Sequence, residues 1–473
     1  MKLLLPLNFS VVLFCLTACA GRNSNADIDT SLIDSSRISK NFTPDTFETG
    51  KVIPNVVCHT DASQSYALYL PAESKNRALP VVYFFDPHGD GSLPLVKYKP
   101  LAEQYHFILA GSNNSKNGND FPAADKIWEN LLTDTKNRLR IDVSQVYVCG
   151  FSGGGKVASY LGLNHPEIKS VIAGGAGISL TGNGGNINFT FTALAGTGDM
   201  NMTDLVNINN ELDKTTARHR IIFFNGIHEW APENTMNTAF EGLLLDAMFK
   251  KIIPVNDSFA NSYVAGAKAA VTGLLAEHNY TKAEAACTVA ISLLTGVSDQ
   301  VTWFEEKDKS IREDAAYQHQ YSTEQDLFTQ EENIKNNYQQ HFESGDMAYW
   351  QNTIDNVKQK AKSPTPEGAM YQRLQAYLSL AFYSVANQLI NNQRNDDARH
   401  FVELYKLADP ANSEAWYMSA ILDARSNDAA TANADLLKAV ANGFADKNRL
   451  DNQAEFIQSG GKIDVQKIEQ KIK

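Results

Sequence analysis

Between residues 81 and 226 the chain repeatedly rises into short, nearly continuous apolar runs. These are VVYFFD (81–86), FILAG (107–111), VYVCG (146–150), SVIAGG (170–175), FTALAGTGD (191–199) and IIFFNG (221–226). Strands covered by helices on both faces read this way, because neither face keeps positions for water. Amphipathic stretches such as IWENLLTDTKNRLR (127–140) lie between them. Alternating strand and helix predicts a parallel sheet in an α/β domain. An earlier run, ALYLPA (67–72), is expected as an antiparallel edge strand, and a helix around 240–250 is expected to close the sheet.

After Ile253 the texture changes. Pro254 marks a break, strand-like runs vanish and helical patterns follow one another: 260–278, 282–294, a long polar stretch from about 311 to 342, and 367–391. Two segments align with each other, NDDARHFVELYKLADP (395–410) and NDAATANADLLKAVANGF (427–444), their starts 32 residues apart. The first is followed by AWYMSAILDARSN, a new helix with an aromatic near its start. NYTKAEAACTVAISLL (279–294) reads as another second helix of a hairpin. This spacing resembles the tetratricopeptide repeat, which recurs about every 34 residues. The expected division is therefore an α/β unit over residues 51–252 and an all-α, hairpin-repeat unit over 253–473. Because each has its own apolar positions, a fragment of residues 40–252 is expected to fold alone.

The sharpest feature is GFSGG (150–154), a lone serine between glycines, with a strand before it and KVASYLGL able to start a helix after it. A serine on so tight a strand-to-helix turn projects its hydroxyl above the sheet, and the helix N-terminus behind it favours negative charge. Ser152 is the candidate nucleophile, and Gly153 offers a backbone N–H to an oxyanion. A serine needs a base. His228, in FFNGIHEWAP, follows the last apolar run, and Asp199 closes FTALAGTGD, so both sit where strand ends meet one sheet edge. Asp204 is the alternative acid. The loop PHGDG (87–91) leaves an early strand, and its glycines permit close backbone approach. It resembles the HGGG-type loop that supplies a second oxyanion donor, which falls to His88 or Gly89. Asn113 and Asn114, in a loop at the same edge, and Trp230, beside the histidine, are candidate substrate-binding residues.

On "VYVCGFSGGGKVAS", "GTGDMN" and "GIHEWAP", residues 51–250 resemble α/β-hydrolases, and more closely the secreted esterases grouped with polyhydroxybutyrate depolymerases and feruloyl esterases. The order Ser152, Asp199, His228 is that superfamily's order. The family's Gly-Gly-His-x-Trp-Pro segment has Ile227 here in place of its second glycine. The resemblance implies hydrolysis of an ester through an acyl-serine, without metal or cofactor.

Composition narrows the setting. The chain of 473 residues is 43% hydrophobic, enough for packed interiors, and its formal net charge of -12 with no basic stripe argues against a nucleic-acid partner. At the N-terminus, Lys2 precedes an apolar stretch too short to span a membrane, ending in Leu16-Thr17-Ala18-Cys19. This resembles the bacterial lipobox, which implies cleavage before Cys19, its lipidation, and a place in the cell envelope. By the same resemblance, Ala20 after Cys19 implies the outer membrane. Residues 20–50, rich in Ser, Asn, Asp and Thr, read as a flexible tether. Two of the five cysteines lie in the signal region; no disulfide is expected among Cys58, Cys149 and Cys287. The expected protein is a membrane-anchored serine hydrolase for small esters, with a helical surface open to a protein partner. The competing readings are a repeat-type interaction protein on an inactive hydrolase fold, and a serine peptidase.

Overall fold

The computed structural model describes residues 37–181, 187–342 and 344–472; the signal segment, Cys19 and the first part of the tether lie outside the described residues. Eight strands form one sheet in the order β1-β2-β4-β3-β5-β6-β7-β8. They are β1 (Val52–Val57), β2 (Ser65–Tyr69), β3 (Leu79–Phe85), β4 (Ile108–Ser112), β5 (Ile141–Phe151), β6 (Ile168–Gly174), β7 (Thr190–Gly196) and β8 (His219–Phe224). From β4 to β8 neighbouring strands run parallel. The 67–72 run is antiparallel as expected, but it is not an edge: β1 pairs with it and takes that place. β1 carries no apolar signal because Pro54 interrupts it and half of it faces water.

Helices α1 (Ser92–Tyr105), α2 (Phe121–Arg138), α3 (Gly153–Asn164), α4 (Met202–Leu212) and α5 (Glu233–Phe249) connect and follow the strands. The apolar stretches of β3 and β5 are buried on both faces: Val82, Phe84, Tyr147 and Cys149 in one core, Val81, Tyr83, Val146 and Val148 in the other. Cys58, Cys149 and Cys287 are free and buried.

The expected boundary at residue 252 does not separate two cores. α5 is buried without interruption from Ala239 to Met248, so it is covered on all sides rather than along one stripe. Its second cover comes from α6 (Asp257–Ala276) and α7 (Tyr280–Leu294): Phe240, Leu243, Leu244 and Met248 share one apolar cluster with Tyr263, Val264, Ala290, Leu293 and Leu294. That cluster continues into α8 (Val301–Arg312) and the start of α9 (Ala315–His341) through Phe304 and Tyr317. Polar bonds stitch the same seam. Buried Asp246 pairs with Arg218 and Arg220 of the β8 region, and the Arg218 guanidinium donates to the Leu293 and Thr295 carbonyls. Pro254 marks a turn, not a division, because the apolar face of α5 and β8 needs the helices that follow it. The polar stretch expected as one helix from 311 to 342 is broken where Asp314 caps the start of α9.

A third core holds α10 (Met347–Lys360), α11 (Pro366–Asn391), α12 (Asn395–Ala408), α13 (Ser413–Arg425) and α14 (Ala429–Ala441), followed by three short helices. α11 packs on α12 and α13 on α14, so the two aligned segments are the second members of successive neighbour pairs. α9 runs through all three cores: Tyr317 lies in the first, Phe328 packs on the second and Tyr338 opens the third.

Beside Phe328, buried Glu331 holds Arg373 of α11, donor and acceptor 2.8 Å apart, and also pairs with Lys335. Arg373 also donates to the Thr197 carbonyl at 2.6 Å, at the end of β7. Both Glu331 and Arg373 are almost wholly out of solvent. Removing Arg373 leaves buried Glu331 to Lys335 alone and takes the donor from the Thr197 carbonyl. Arg373→Ala is expected to lower stability by about 3–5 kcal/mol, read as the shift in urea midpoint; a change below about 1 kcal/mol would mean the contact is dispensable.

Candidate active site

β5 ends in the glycine-flanked bend and α3 begins at Gly153. Between them Ser152 stands at φ 54, ψ -122, a left-handed conformation that a side-chain-bearing residue keeps only when its surroundings enforce it. The enforcement is steric. A methyl group at Gly150 would lie 2.0 Å from the Gly154 carbonyl oxygen, and one at Gly154 would lie 1.9 Å from that of Phe85. The turn closes only because both positions lack a side chain. Ser152 N–H donates to Gly174 O of the neighbouring strand at 2.8 Å, tying the bend to the sheet.

The loops after β5, β7 and β8 bring three side chains into line. Ser152 Oγ lies 2.9 Å from His228 Nε2, and His228 Nδ1 lies 2.9 and 3.0 Å from the two Asp199 oxygens. A carboxylate only accepts, so Nδ1 carries the proton and Nε2 is left to accept from the serine hydroxyl. Asp199 is 1% exposed and accepts a further bond from Asn201 N–H at 2.8 Å. The Asn201 side chain in turn donates to Gly175 O, fixing the acid loop against the end of β6. The His228 ring rests on Phe151, ring centres 4.7 Å apart. Asp204 sits exposed in the first turn of α4 with no bond to the histidine, so Asp199 holds the acid position.

Gly153 N–H, at the first turn of α3, has no partner among the described residues. The two donors expected from the 87–91 loop are occupied. His88 N–H donates to Asp86 Oδ1 at 2.8 Å and Gly89 N–H to Asp86 O at 3.1 Å. The cause is Asp86, a buried carboxylate that the sequence reading passed over. Burial pushes its carboxyl up, but bonds from His88 and the Trp230 indole outweigh that and hold it below its ordinary value. The His88 imidazole is raised by its bond to Asp86, against burial, with the Asp86 and Glu414 charges adding to the effect.

The side chains of the remaining candidates are bonded within the chain. Trp230 donates its indole N–H to Asp86 at 2.9 Å and packs on Phe84, Tyr98 and Phe151, so it ties the His228 loop to the end of β3. Asn113 bonds Pro54 O, Ser65 Oγ and Gly91 N–H, and Asn114 bonds Ser65 N–H and Ser63 O. Their amides are spent joining the loop after β4 to β1 and β2, because the antiparallel β2–β4 pairing places Ser65 beside them.

No protein-family model and no curated protein matches the chain. Among solved structures, its fold is similar to an S-formylglutathione hydrolase from Staphylococcus aureus, at 12% identity and TM-score 0.33, over 41% of this chain and 98% of that one. It is similar to an S-formylglutathione hydrolase from Agrobacterium tumefaciens, at 15% and 0.33, over 41% and 93%. A ferulic acid esterase matches at 14% and 0.33, over 41% and 97%.

Proposed function

We propose that this chain is a serine hydrolase, a carboxylesterase that cleaves small or carbohydrate-linked esters through an acyl-serine. The observation that carries the reading is the continuous hydrogen-bond relay from Asp199 through His228 to a serine held in a strained turn. Strain at one residue, a buried acid and an aligned imidazole are costly to keep together without use.

The steps follow from the geometry. Ser152 Oγ attacks the ester carbonyl as its proton passes to His228 Nε2. Asp199 holds the imidazolium that results, and the carbonyl electron pair moves to oxygen, facing Gly153 N–H. Collapse of that intermediate expels the alcohol, which takes the proton from His228. Water then enters by the same route and releases the acid. Transfer by a positioned base contributes about 10²–10⁴-fold, and each oxyanion donor about 2.7–4 kcal/mol.

The test uses the chain from residue 20, which lacks the signal segment and Cys19. It is expected to be labelled by a fluorophosphonate probe and to turn over p-nitrophenyl acetate and butyrate much faster than aminoacyl p-nitroanilides. Labelling with faster amide cleavage would make it a peptidase; no labelling would make the fold an inactive scaffold.

The Leu16–Cys19 motif supports lipid attachment at Cys19 and residence in a bacterial outer membrane. Cys19→Ser is then expected to move the protein from the membrane pellet to the soluble or unprocessed fraction after a high-salt wash. Equal retention of variant and parent would sink the anchor.

A further inference from the structure

On the serine-hydrolase reading above, the intermediate on Ser152 needs a second donor, and the two backbone groups of the 87–91 loop are bound to Asp86. A different group stands at the elbow. A methyl group at Gly153 would fall 1.9 Å from Asn117 Oδ1 and 3.8 Å from its Nδ2, so the Asn117 carboxamide lies against the residue that follows the nucleophile. The main chain pins it there. Asn117 N–H donates to Pro87 O at 2.8 Å, Asn119 Oδ1 accepts from Lys116 N–H at 2.7 Å, and Asp120 caps α2 directly afterwards. Unlike Asn113 and Asn114 in the same loop, the Asn117 side chain makes no hydrogen bond within the described chain. A planar amide can present either end after a half-turn about one soft torsion.

We propose that the Asn117 carboxamide is the second oxyanion donor, acting beside Gly153 N–H. As the Ser152 Oγ–carbon bond forms and the carbonyl pair moves to oxygen, an Asn117 Nδ2–H bonds that oxygen without giving up its proton. When the alcohol leaves, the pair returns and the bond weakens. The same contact gives position 153 a reason to be glycine, since any side chain there would displace the amide.

The test compares the parent with Asn117→Leu and Asn117→Asp, which keep the shape and remove the donor. With p-nitrophenyl acetate, kcat is expected to fall about 10²–10³-fold while KM stays within about threefold. The inhibition constant of a phenylboronic acid, whose tetrahedral adduct carries an oxygen in the same place, is expected to rise in step with the loss. Asn117 is exposed, so the unfolding midpoint is expected to stay. If both variants keep kcat within about threefold of the parent while Ser152→Ala is dead, Asn117 is no donor and the hydrolase reading stands. An unlabelled, inactive parent overturns both. A kcat loss without a parallel change in boronate affinity makes the role structural and overturns the donor assignment.

Discussion

Ser152→Ala is expected to abolish ester turnover, lowering kcat by roughly 10³–10⁶, and to leave the fold intact. The magnitude follows from what one atom does. On the proposed mechanism Oγ is both the group that bonds the substrate and the donor at the head of the relay, 2.9 Å from His228 Nε2. Without it the imidazole has no proton to take, and residual catalysis comes only from binding and oxyanion stabilisation. Alanine at φ 54 is no more strained than serine there, so the unfolding midpoint is expected to move by less than about 1 kcal/mol. Stopped assays with p-nitrophenyl acetate and urea unfolding of the same preparation separate the two effects. Turnover within about tenfold of the parent would remove Ser152 from the mechanism.

Cutting the chain after residue 252 is expected to give an insoluble or molten fragment, although it keeps Ser152, Asp199 and His228. The cut uncovers Phe240, Leu243, Leu244 and Met248, which share a cluster with α6 and α7. Each such side chain is worth about 1.5–3 kcal/mol when buried. Four of them reach the 5–15 kcal/mol that a whole domain has to spare. The cut also strips the Leu293 and Thr295 carbonyls from Arg218. A fragment ending at residue 342 keeps that first core and is expected to be more soluble, yet it lacks Arg373 and so the bond on Thr197, two residues before Asp199. Solubility, near-ultraviolet circular dichroism and esterase activity of residues 40–252, 40–342 and the chain from residue 20 check both statements. A monodisperse, active 40–252 fragment would restore the boundary at Pro254.

The parallel strands were legible because burial on both faces leaves unbroken apolar runs, and the relay because all three residues close such runs. The boundary was misread for a physical reason. Apolar positions in α6 and α7 reveal that a face must be covered, not by what. Yet the run Leu243, Leu244, Leu245 in α5 carries a warning, since a helix apolar on consecutive positions needs cover on more than one side. β1 and α1 were missed where Pro54 in the one and Pro94 and Pro100 in the other interrupt the pattern. At the site, a loop rich in asparagine shows that polar groups are present but not which ones the fold consumes. Asn113 and Asn114 are spent on β1 and β2, Trp230 on Asp86, and the Asn117 carboxamide has no bond among the described residues.

α9 threads all three cores, and this orders events during synthesis. By the time His228 has left the ribosome every member of the relay has been made, but the first core stays open until about residue 317 and the acid loop lacks its Arg373 contact until α11 has emerged. Domains close from the N-terminus as the chain lengthens; here the half that carries the relay waits for the helical half. A chain clipped before α11 is expected to hold its acid loop less firmly than one that carries Arg373. On the serine-hydrolase reading, ester turnover would then report whether α11 is present and docked on Thr197.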